Sequence, residues 1–225
     1  MKNIVSKIFI FFALVWTMHG VCNAQDISLE PKYGLAQKNA VQNAADVKFL
    51  ADIDSYYKGD RKTPANEMAA RGWKALQDGN MQDAMRRFNQ AWLIDNANGA
   101  ALWGMGAIQA NTGKASQSLS LFAEAEPTLS GDTNFEVDYA KAISIAGAQT
   151  KNVNLMTDAV MRFEQVYQKD PQHTSNLQNW AICLFYMGDY AAAWRKIQLA
   201  ENTPGRSGLD QRFIESLKNK LPKPE

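Results

Sequence analysis

Cysteine and histidine are almost absent, with two of each in 225 residues. A disulfide framework, a Cys/His metal site and Cys-His catalysis therefore have little raw material. No stretch approaches the roughly 18 consecutive apolar residues that a membrane-crossing helix needs. Neither sign of charge dominates, since 24 Lys and Arg face 23 Asp and Glu. Such a balance leaves no electrostatic footprint for nucleic acid or for an anionic membrane surface. Long β-branched runs are also scarce, while Ala, Gln, Asn, Leu and Met abound, a composition that favours helix.

The first residues have the pattern of a secretory signal. Lys2 and Lys7 give a positive start, Ile8 to Trp16 an apolar core, and Val21 to Ala24 a small-residue cleavage site before Gln25. A signal peptide over 1–24 and a periplasmic or secreted mature chain are expected. An uncleaved N-terminal anchor and a lipoprotein modified at Cys22 are the alternatives. Cleavage would remove two lysines and no acid, turning the formal charge from +1 to −1. It would leave Cys183 and His173 as the last of their kinds. Cys183 is read as a small buried hydrophobe, and His173 as a solvated residue of a turn.

What the chain does have is internal repetition. Gly72, a turn at Asp78-Gly79-Asn80, then Ala84, Phe88 and Ala91 return thirty-four residues later as Gly106, Thr112-Gly113-Lys114, Ser118, Phe122 and Ala125. A third unit carries Ala159, Phe163, Val166 and Pro171. A fourth carries Gly188-Asp189-Tyr190, Ala193, Ile197 and Ala200. Each unit is a helix, a turn and a second helix. Small residues mark close approaches, and a large residue fills the space between units.

The expected units span about 65–98, 99–132, 133–173 and 174–203. In the third, the second helix comes about seven residues late, so 148–154 is expected to be an enlarged turn. Residues 25–63 are expected to hold a flexible arm (25–34) and a helix striped with Ala40, Val41, Ala44, Val47, Leu50 and Ile53. A further helix with Leu209, Phe213 and Leu217 should close the chain over 204–225. Both flanking helices suit the role of caps on a repeat array.

Over residues 65–203 these features resemble the tetratricopeptide-repeat family. The resemblance rests on Gly72, Gly79, Ala84, Phe88 and Ala91 and their counterparts in the later units. It implies an all-α, right-handed superhelical solenoid of about four helix-turn-helix repeats, in which the first helices line a concave groove. Carried over by position, the groove residues are Asn66, Trp73 and Gln77; Trp103, Ala107 and Asn111; Asn134, Lys141 and Ser144; and Gln178, Ile182 and Tyr186. The family's carboxylate clamp is not supported, because Ala69 and Trp73 occupy the corresponding positions. An aromatic and amide lining would suit an extended or helical peptide.

Apparent catalytic motifs fail on spacing. Asp52-Ile53-Asp54 with Lys58-Gly59-Asp60 lacks the turn glycine and ligand order of a calcium loop. Gly113-Lys114 lacks the partner glycine and hydroxyl of a phosphate loop. The pairs Glu124/Glu126 and Asp132/Glu136 read as solvated helix faces. The expectation is a non-enzymatic adaptor with no cofactor or metal, binding a protein or peptide partner. A structural or assembly subunit of an envelope complex, possibly oligomeric, is the alternative, and an enzyme with a groove site is a third reading.

Overall fold

The computed structural model describes residues 26–224. The expected signal peptide over 1–24, with Cys22, and Gln25 lie outside that range. Ten α-helices follow one another: α1 (Ala40–Tyr56), α2 (Lys62–Gln77), α3 (Met81–Ile94), α4 (Gly99–Asn111), α5 (Ala115–Leu129), α6 (Thr133–Thr150), α7 (Val153–Lys169), α8 (Thr174–Tyr186), α9 (Tyr190–Glu201) and α10 (Gln211–Lys220). There is no strand among the described residues. Most helix starts are written locally. Asn39, Asn80, Asn98, Asp132, Asn152, Asp189 and Asp210 each accept a hydrogen bond from a backbone N–H in the following turn.

The helices pack as adjacent pairs, α2 with α3, α4 with α5, α6 with α7 and α8 with α9. The second helix of each pair also packs on the first helix of the next. Every first helix touches the next first helix, whereas successive second helices pack together less. One apolar row on each second helix explains this arrangement. Ala84, Phe88 and Ala91 are fully buried, as are Ser118, Phe122 and Ala125, Ala159 and Phe163, and Ala193, Ile197 and Ala200; Val166 is 1% exposed. The four- and three-residue spacings put each triplet on one helix face. Ser118 fits the row because its hydroxyl donates to Ala115 O at 2.7 Å.

The third pair corrects the expectation of an enlarged turn over 148–154. Helix α6 runs on to Thr150 and α7 starts at Val153, so Lys151 and Asn152 alone separate them. The extra residues extend the helices instead, to 18 and 17 residues against 13 and 12 in the last pair. The other three turns place a glycine at positive φ, namely Gly79, Gly113 and Gly188; here Lys151 takes that conformation, at φ 54°. A lysine where its neighbours have glycine hides the turn from sequence inspection.

The N-terminal flank departs from expectation twice. Residues 26–34 are not a free arm: two short 3-10 turns (Ile27–Leu29 and Pro31–Leu35) form a strap across the second-helix side. Asn89 on α3, fully buried beneath it, donates through Nδ2 to Ser28 O and Glu30 O, both at 2.8 Å. Its Oδ1 accepts from the Tyr33 N–H at 3.3 Å. Burial, then the charge of Asp46, pushes the Tyr33 phenol up to about 12. Lys32, Tyr33, Gly34 and Leu35 are all left-handed, with φ of 53°, 56°, 64° and 52°. For the three non-glycine residues this costs about 1–2 kcal/mol each.

Nor does α1 close the first pair with its apolar stripe. No residue of α1 is buried, and Val41 and Val47 are 79% and 69% exposed. At the other end α10 does pack: Leu217 is fully buried against the main core, and Leu209 sits with Leu177 and Ala200.

Candidate functional site

Along α2, α4, α6 and α8 the positions singled out in the sequence are tied to one another across the pairs. Asn66 Oδ1 accepts from Asn98 Nδ2 at 2.7 Å, while Asn98 Oδ1 caps α4 by accepting from the Ala101 N–H. The Trp73 indole donates to Ala100 O at 3.2 Å, and the Trp103 indole to Asp138 Oδ2 at 2.9 Å. The two rings stand 4.6 Å apart at 59°. Each is also held edge-on by a core ring, Trp73 by Phe88 at 5.5 Å and Trp103 by Phe135 at 5.8 Å. Both Trp are half-buried, so each contributes to packing and still presents ring surface outward.

Further along, Lys141 Nζ donates to Asn111 Oδ1 at 3.4 Å. His173 lies in the turn before α8, half-exposed, and is engaged on both ring nitrogens. Its Nδ1 accepts from the Asn176 N–H at 3.2 Å and caps α8, so Nε2 must carry the proton. That Nε2 lies 3.2 Å from Asn134 Oδ1, to which it donates.

The remaining predicted residues stand apart. Gln77 is exposed and its side chain makes no hydrogen bond to the described residues. Gln178 Oε1 accepts from the Asp210 N–H at 2.7 Å, so it anchors the start of α10. Ala107 and Ser144 are buried and Ile182 is half-buried. Tyr186, 66% exposed, lines a cleft of about 300 Å³ with Gly147, Ala148, Lys151, Val153, Met156 and Met187.

Asn98 and Asp138 are members of this strip that sequence reasoning passed over, and His173 is one that it placed in a turn without a partner. Their signal was the spacing: Asn66–Asn98, Trp103–Asp138 and Asn134–His173 are separated by 32, 35 and 39 residues, about one unit each. Asp138 is the one carboxylate bonded to a Trp here, and burial pushes its pKa up against the lowering pull of the Trp103 N–H, Lys141 and His173. A carboxyl raised in the folded state gives stability that is present in acid and lost as pH rises through its folded pKa. Asp138→Asn keeps an acceptor for Trp103 and removes the charge. Its melting temperature should exceed that of the parent at pH 7, and the gap should close in acid once Asp138 is protonated. A gap that widens in acid would contradict the assignment.

The carboxylate pairs are engaged elsewhere. Glu124 bridges Lys32 at 2.5 Å, Glu126 bridges Arg162 at 3.0 Å, Glu136 bridges Lys169 at 2.6 Å, and Asp132 caps α6. Cys183 is fully buried and its thiol pKa is raised by that burial. Among the described residues no group of three His, Cys, Asp or Glu could hold a metal ion, and no helix is long and apolar enough to cross a membrane. No protein-family model and no curated protein matches the chain, so the paired helices and the strip along their first members are what a functional reading has to build on.

Proposed function

We propose that this protein is a non-enzymatic interaction scaffold, a tetratricopeptide-like right-handed superhelix that receives a peptide or protein segment along its first-helix face. The carrying observation is the cross-linked strip itself. Side chains from successive first helices are fixed to one another by hydrogen bonds and ring contacts before any partner arrives. A surface ordered in advance loses less side-chain freedom on binding, so more of its contact energy appears as affinity. The closer approach of successive first helices would make this face the concave one.

The indole N–H groups are already used within the chain, so Trp73 and Trp103 would offer ring faces rather than donors. Gln77, exposed and unengaged, would bond a partner's backbone, as would the Nδ2 groups of Asn111 and Asn134. The signal-like pattern of the N-terminal sequence, with Lys2, Lys7 and the apolar run Ile8 to Trp16, supports placing the scaffold in the periplasm or outside the cell.

Exposed positions give a test that spares the fold. The chain, immobilised in an envelope extract, should retain a partner that Gln77→Arg and Asn134→Arg each release, with at least about a tenfold loss of affinity, equivalent to 1.4 kcal/mol. Equal retention by both variants, at unchanged melting temperature, would remove the partner from this face.

A further inference from the structure

The strap Asp26–Leu35 lies on the opposite helices from the strip, and the way it is held is unusual for a segment that belongs to its own core. Residues 27–33 are half-buried and none of the strap is fully buried. It is gripped by main-chain bonds to Asn89 and by three ion pairs of fixed order: Asp26 with Arg86 at 3.3 Å, Glu30 with Lys114 at 3.5 Å, and Lys32 with Glu124 at 2.5 Å. Asn89 bonds only to the strap's backbone, so the ion pairs are what select the strap's charge order: acid, acid, base.

The left-handed run follows directly. Lys32 to Leu35 bend the chain sharply, with Lys38 brought 3.7 Å over the Tyr33 ring, so that it can continue into α1 of the same molecule. The contacts made before the bend, at Asp26, Ser28 and Glu30, do not depend on it. A strap arriving from another molecule would make those contacts without the bend. Exchanged and unexchanged straps thus share the Asp26 and Glu30 ion pairs and the two carbonyl bonds to Asn89, whereas the Lys32–Glu124 pair and the Tyr33 N–H bond belong to the bend. They differ besides in hinge strain and in the entropy of association. Short hinges under strain favour exchange. Helix α1 buries no residue and meets the hinge through Asp46, which pairs with Lys38 over the Tyr33 ring.

We propose that the slot formed by Arg86, Asn89 and Lys114 is an interface for a second copy of this chain, through which two molecules reciprocally exchange residues 26–31. Within one molecule the strap is present at an effective concentration on the order of millimolar, so exchange becomes visible when the internal pairing is broken.

A charge swap does this at exposed and half-buried positions. One variant of the full chain carries Arg86→Glu and Lys114→Glu; the other carries Asp26→Lys and Glu30→Lys. Each alone sets like charges against each other and should run at the mass of one copy in light scattering. Mixed, each strap meets a complementary slot in the other molecule. The mass should double, with the two differently tagged chains in equal amounts. Asn89→Ala in both chains should return the mixture to one-copy mass. A mixture that stays at one-copy mass at high protein concentration would overturn the proposal. So would doubling by either variant alone, or doubling that survives Asn89→Ala.

Discussion

Phe88→Ala is expected to lower the free energy of unfolding by about 3–5 kcal/mol, the range for a buried aromatic truncated in a core that cannot collapse. The ring is fully buried and fills the gap between α2 and α4. A Cβ built on Gly72 would come within 2.5 Å of it, and one on Gly104 within 2.2 Å. Two glycines on consecutive first helices therefore give the space that one ring from α3 occupies. Gly104→Ala should be destabilising in its own right, by about 1–3 kcal/mol, because the ring has nowhere to move. Combining Gly104→Ala with Phe88→Leu removes bulk where bulk was added. The double variant should lose less than the sum of the two single losses in urea unfolding. Strict additivity would mean that Gly104 and Phe88 do not share this space. The consequence reaches the binding face, because Phe88 also supports the edge of Trp73. Phe88→Ala should therefore weaken partner retention even under conditions where the variant remains folded.

The part of this arrangement that follows a period was legible in the sequence. Ala84-Phe88-Ala91 and its three counterparts are spaced to share a helix face, and the structure buries all twelve. The residues on the first helices were likewise placed by register, but their engagement with one another was not seen. Reading Trp103 alone says nothing about Asp138; reading one unit further along does. The strap was missed for a different reason. Residues 26–35 have no apolar period, because main-chain bonds to one asparagine and three ion pairs hold them, and such contacts leave no periodic mark. For α1 the error was the reverse. Ala40, Val41, Ala44 and Val47 lie on a helical period, yet no other element covers them. A stripe shows that a face is apolar and not that something packs on it. The turn at Lys151 adds a third case, in which a non-glycine residue adopts the left-handed conformation that glycine marks in the other units.

Leu217→Ala tests whether the helical pairs behave as a chain of neighbours or as one block. Helix α10 is short and largely polar, and Leu217 is its one fully buried residue. Around it, Phe213 meets Phe185 edge-on at 5.7 Å, and the Trp194 indole donates to Leu221 O at 2.8 Å. Truncating Leu217 should cost about 2–5 kcal/mol at that end of the molecule. In a linear array each pair is stabilised by its own packing and by its neighbours, so a loss at one end is felt most by the adjoining pair. Amide hydrogen exchange should then quicken first in α8 and α9, which lose the cover of α10, while α2 to α5 keep their protection. Equal acceleration in α3 and α9 would show a single cooperative unit instead. The linear outcome would also bear on the binding face: Trp73 and Trp103 would stay ordered when the far end opens, because α10 packs chiefly on α9.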